Sequence, residues 1–157
     1  MRREDVSENL REVAFDFFYY FSRFEFALKE NGYLKSQIVG EKAEADWDAF
    51  CIRWREVYSL SGEAIVLLRE RPARQIVGND NTLAWKPVGL DDCKSELEKV
   101  VRLLRTIRNN LFHGGKHGHA DWHDAKRNHL LLTSGRRVLD QIAELASTLQ
   151  ADYFSRY

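Results

Sequence analysis

Proline is nearly missing from this chain, with only Pro72 and Pro87 among 157 residues. Together with a modest 9 glycines, that leaves long stretches in which nothing interrupts a helix. Cysteine is equally scarce. Cys51 and Cys93 lie far apart and form no CxxC pair, so no disulfide framework is visible, and a reducing cytoplasm is the expected compartment. Net charge is absent as well, since 24 Lys and Arg balance 24 Asp and Glu. A strong non-specific grip on nucleic acid over the whole surface needs many phosphate contacts and is not expected, whereas a local basic patch stays open. No run of about 18 uncharged apolar residues exists. The N-terminal Met1-Arg2-Arg3-Glu4-Asp5-Val6 has no apolar signal core behind it. No membrane partner is therefore expected.

What is present is an ordinary globular balance, with 44% hydrophobic and 31% charged residues. The length suits one domain spanning 1–157. Apolar residues recur at helical spacing. Leu10, Val13, Ala14, Phe17, Phe21, Phe24 and Leu28 predict a first helix over about 5–30, stopped by Asn31-Gly32. The run Phe17-Phe18-Tyr19-Tyr20-Phe21 is aromatic on all sides. It reads as a helix touching neighbours on two sides, or else as a dimer surface. Trp47, Phe50, Cys51, Trp54, Val57 and Tyr58 predict a second helix over about 42–59. Ala64, Leu67 and Leu68 mark another piece, ended by Pro72.

Residues 71–90 differ. Pro72, Gly78, Asn79, Asp80, Asn81, Pro87 and Gly89 punctuate short apolar runs, which predicts a long irregular loop with room for a small hairpin. The next helix is expected to begin near Asp91-Asp92, as its cap, and to run to His113 before Gly114-Gly115. A last helix is expected over about 123–153. The fold class that follows is all-α, an antiparallel bundle of four to five helices.

The chemistry gathers near the end of the 91–113 helix. At about 100° per residue, Leu97, Val100, Val101, Leu104 and Leu111 share a face, and Arg108 falls inside it. A guanidinium there loses hydration and must gain partners or reach out to a groove. Beside it, Arg102, Arg105, Asn109 and His113 lie within about 80° of one another. Cations, an amide and an imidazole therefore share one side of the helix end. A purely structural account of the same residues exists, because Arg and His suit a helix C-terminus and Gly-Gly is a common stop.

The string Ile107-Arg108-Asn109-Asn110-Leu111-Phe112-His113-Gly114-Gly115-Lys116 resembles the HEPN superfamily (higher eukaryotes and prokaryotes nucleotide-binding), whose motif is Arg-x(4–6)-His with a polar residue after the Arg. Phe21-Ser22-Arg23-Phe24-Glu25-Phe26-Ala27-Leu28, with the later Trp85 loop, looks like a plasmid-borne subgroup of small stand-alone members. The resemblance implies a HEPN-like bundle and a homodimer with the two motif helices facing across a cleft. It also implies a ribonuclease that needs no metal or other cofactor. Arg108, His113 and Asn109 would be its catalytic set, with RNA as substrate. The biological role implied is a toxin of a toxin–antitoxin pair, partnered by a cognate antitoxin protein, or a phage-defence effector. The alternative is a non-catalytic HEPN module that binds RNA, a nucleotide or a protein partner. A purely structural helical dimer is a third reading, supported by the aromatic first helix.

Further residues are expected to serve this site. Lys116, Arg105, Arg102 and Asn110 would bind RNA, and Arg127 would join them because related HEPN sequences often carry Arg there. Lys126, Arg136 and Arg137 could extend the track, although charged helix faces are commonly only solvated surface. Glu25 intrudes on the first helix's apolar stripe as Arg108 does on its own. Glu25, or Asp16, is expected to orient Arg108, with a surface pairing to Arg23 or Lys29 as the alternative. His113, His117, His119 and His123 match no standard zinc spacing, so no metal site is expected. Cys51 reads as core, and Cys93 has no base nearby to mark it as a nucleophile.

Overall fold

A computed structural model describes residues 7–112 and 125–155. Six α-helices and one hairpin are found among them: α1 (Glu8–Glu30), α2 (Trp47–Trp54), α3 (Gly62–Glu70), β1 (Ala73–Val77), β2 (Leu83–Pro87), α4 (Glu96–Phe112), α5 (Ala125–Ala143) and α6 (Ser147–Phe154). The protein is thus mostly helical, but the expected all-α class needs correction at residues 73–87.

Side-chain caps set the helix starts. The Ser7 hydroxyl accepts from the Leu10 N–H, the Asp46 carboxylate from Asp48 and Ala49, and the Ser61 hydroxyl from Ala64, each satisfying amides that lack a partner in the first turn. At α4 the cap is Ser95, whose Oγ accepts from Glu98 N–H, while the Glu98 carboxylate accepts from Lys94 N–H at 2.7 Å. The expected cap at Asp91-Asp92 is therefore displaced by several residues, and Asp92 is employed elsewhere.

The core is one contiguous cluster. Phe17, Phe21, Phe24 and Leu28 of α1, Trp47 and Phe50 of α2, and Leu97, Val100 and Leu104 of α4 are buried in it. So are Leu131, Val138, Leu139 and Ile142 of α5 and Leu149 and Tyr153 of α6. The crowded aromatic run of α1 has two neighbours, as its first reading required. Phe17 lies under Gly135 of α5, while Tyr20 and Phe24 pack on Tyr153 of α6 at 5.6 and 5.9 Å between ring centroids. Phe15, Phe18 and Tyr19 point outward.

The expected last helix is broken. Ala146 adopts an extended conformation (φ −137°, ψ 129°) between α5 and α6, and α6 turns to pack on α1. Arg23, a buried residue of α1, secures it. Its guanidinium donates to the carbonyls of Asp152 and Tyr153 and to Ser155 Oγ at 2.7 Å, and so meets the carbonyls that a helix C-terminus leaves unpaired.

Residues 71–90 are for the most part a β-hairpin. Ala73 pairs with Pro87, Gln75 with Trp85 and Val77 with Leu83. Asp80 and Asn81 take left-handed conformations (φ 53° and 57°) in the turn, which Asp and Asn tolerate better than most residues. The chain enters the hairpin through buried Pro72, after Arg71 ends α3 at φ 35°. No helix among the described residues is long and apolar enough to cross a membrane.

Candidate functional site

The last turns of α4 carry the residues singled out by spacing. Leu97, Val100, Val101, Leu103, Leu104 and Ile107 are buried, so the helix is held firmly against α1, α2, α3 and α5. Arg108 stands at the border of that buried face, half-buried, as its place in the apolar pattern requires. Its guanidinium lies over the Phe21 ring, 5.8 Å from the centroid, and donates from Nη1 to Asn109 Oδ1 at 3.1 Å. A ring face and an amide oxygen both favour a cation. Asn109 is exposed. His113 and Lys116 lie outside the described residues, as do His117, His119 and His123.

The remaining expected residues divide into two groups. Arg105 is exposed and faces a groove beside α4. Arg102, Asn110 and Arg127 have structural partners instead. Arg102 forks onto Asp92, with Nη2 to Oδ2 at 2.9 Å, and reaches the Gly89 carbonyl at 3.0 Å. This hydrogen-bonded pairing holds the Asp92 carboxyl below its ordinary range and raises the Arg102 guanidinium. Asn110 Nδ2 donates to the Ala73 carbonyl at 2.8 Å, tying the hairpin to α4. Arg127 donates to the Glu70 carbonyl at 2.7 Å, tying α5 to the end of α3. Glu25, expected to orient Arg108, has its carboxylate turned to the Trp47 indole, which donates from Nε1 at 3.1 Å. Asp16 is exposed on α1. Glu25 misleads because both inward-looking charges lie beside apolar stripes, and only the packing of α2 onto α1 reveals an indole N–H as the nearer partner.

The groove occupies about 710 Å³ between the hairpin, α4 and α2. Arg105, Asn109 and Asn110 line it from α4, and Arg74, Gln75 and Trp85 from the hairpin. Sequence spacing does not bring Arg74 or Trp85 to this place. They come from a strand pair some 20 to 30 residues earlier, and the Asn110–Ala73 bond is what seats that pair. The one visible signal is an aromatic and a cation in a punctuated segment, which also fits a plain connector.

Neither thiol is activated. Burial pushes Cys51 up to about 12, and desolvation also raises Cys93. No group of three His, Cys, Asp or Glu side chains suited to a metal ion occurs among the described residues. No family model, curated protein or solved structure matches the chain. The functional reading therefore rests on these residues and on the resemblance of 107–116.

Proposed function

We propose that this protein is a metal-independent endoribonuclease of HEPN type, acting as a homodimer with Arg108 and His113 of both subunits around one cleft. The observation that supports it best is the setting of Arg108. A cation kept at the edge of a packed helix, over an aromatic ring and beside an amide, is restrained without being surrendered to the core. That is what stabilising a transient anion asks of a guanidinium.

In this reading the RNA 2′-hydroxyl attacks the adjacent phosphorus. The P–O2′ bond forms, the P–O5′ bond breaks, and the products are a 2′,3′-cyclic phosphate and a 5′-hydroxyl. One His113 takes the proton from O2′ and the other returns one to O5′, since imidazole titrates near neutral pH. Arg108 neutralises charge growing on the phosphorane oxygens, and Asn109 orients the phosphate or the guanidinium. The biological role of toxin or phage-defence effector, with a cognate antitoxin, rests on analogy with the superfamily.

The test is incubation of purified protein with tRNA and mRNA in EDTA, beside Arg108→Ala and His113→Ala variants with unchanged far-UV circular dichroism. Cleavage leaving cyclic phosphate ends, lost by at least about 100-fold in either variant, is expected. RNA binding without cleavage by the unmodified protein would favour a non-catalytic HEPN module.

A further inference from the structure

We propose that the groove between the hairpin and α4 seats a nucleotide unit of single-stranded RNA next to the reactive end of α4, with a base stacked on Trp85 and phosphate held by Arg74 and Arg105. This rests on the RNA reading above and assigns its substrate a path through this chain.

The charge distribution along the groove carries the argument. Glu98, Arg102, Arg105 and Asn109 follow one another at spacings of four, three and four, and all line the groove. They form a stripe about 16 Å long on one side of α4. Its N-terminal end is acidic, at Glu98. Its middle is neutralised, because Arg102 is forked onto Asp92. Its C-terminal end, next to Arg108, carries Arg105 and two amides. The Asn110–Ala73 bond places the start of β1 beside these last turns, and Arg74, Gln75 and Trp85 of the hairpin line the same groove. Arg74 and Arg105 are exposed and form no direct ion pair among the described residues, unlike Arg102 and Arg127, although Arg74 lies within electrostatic reach of Asp92 as its weakest contributor. Two cations outside any direct ion pair, an aromatic and amides thus line one groove, whose C-terminal end on α4 adjoins Arg108. Cations hold a phosphate, an aromatic face takes any base, and amides read base edges. A volume of about 710 Å³ suits a ligand of that size. The acidic far end repels phosphate and gives the strand a preferred side of entry.

The experiment uses full-length His113→Ala protein, so that RNA is bound and not cut. A 5′-labelled unstructured decaribonucleotide is titrated by anisotropy in EDTA at several salt concentrations, with adenosine 5′-monophosphate as a second probe. Trp85→Leu is expected to weaken RNA binding about tenfold or more, and Trp85→Phe to restore most of it. Arg74→Gln with Arg105→Gln is expected to weaken binding and to flatten the slope of log affinity against log salt by about 1.4. Should Trp85→Leu alter the urea midpoint, the Phe variant and the Arg pair alone decide. Undiminished affinity and slope in these variants overturn the groove while leaving the RNA reading standing. Adenosine monophosphate bound as tightly as the decamer makes this a free-nucleotide site and overturns the strand path. If the His113→Ala protein binds no RNA and the unmodified protein cuts none, both proposals fall.

Discussion

Three arginines of α4, Arg102, Arg105 and Arg108, differ little in type and differ completely in setting. Arg102 belongs to Asp92, Arg105 faces the groove, and Arg108 sits over Phe21. The Arg102 fork has a measurable consequence. Because it depresses the folded-state pKa of Asp92, the pairing contributes stability above the unfolded value, about 3.9. That contribution is lost as pH falls through the folded value. Arg102→Gln should therefore raise the Asp92 midpoint toward about 3.9 in a carboxyl NMR titration. It should lower stability near neutrality but leave it unchanged at a pH where Asp92 is protonated in both states. An unmoved midpoint would remove the pair from the account. The thiols give a second residue-scale expectation. Cys51 is buried and its thiol is raised to about 12, so alkylation at pH 8 should label half-buried Cys93 first and Cys51 only on unfolding. Mass spectrometry of peptides from a timed reaction checks the order, and equal labelling would contradict the described burial.

At the scale of elements, the approach of α1 to α5 depends on a missing side chain. A methyl at Gly135 would lie 2.7 Å from Phe17 Cε2 and 3.2 Å from Cδ2, and Phe17 is fully buried. Alanine ordinarily improves a helix interior by about 1 kcal/mol over glycine. Here overpacking outweighs that gain, and Gly135→Ala should lose about 1–3 kcal/mol in urea unfolding. A stabilised variant would mean that the two helices separate more easily than their packing indicates. The same scale explains the break before α6. A continuous helix past Ala143 would carry Leu149 and Tyr153 away from α1. Turning at Ala146 buries both, and Arg23 meets the carbonyls at the new end. The hairpin is likewise an element with a task, since it forms one wall of the groove and is tied to α4 through Asn110.

For the whole molecule, the proposed site is completed only by a second copy. The shared-cleft reading therefore expects sedimentation at twice the monomer mass at micromolar concentration. A monomer that still cuts RNA would move the chemistry into one chain. Of the aromatic run at 17–21 on which the dimer reading drew, Phe18 and Tyr19 are exposed on α1 at 36 and 46%, and Phe15 beside them at 65%. Burying large aromatics against a partner is a strong source of association energy.

Local periodicity alone determined where α1 and α3 run, which side of these helices and of α4 faces inward, and that Arg108 breaks an apolar face, while the start of α4 was set by its Ser95 cap. Those properties depend on residues three and four apart, which a helix brings together whatever surrounds it. Tertiary structure decided the rest. It turned the segment at 73–87 into a paired hairpin, because pairing joins residues about ten apart across a turn. It assigned Glu25 to Trp47, Arg102 to Asp92 and Asn110 to Ala73, because side chains of equal polarity compete for partners by distance. It also brought Arg74 and Trp85 beside Arg105 and Asn109, a neighbourhood made by packing between elements that no spacing along the chain encodes.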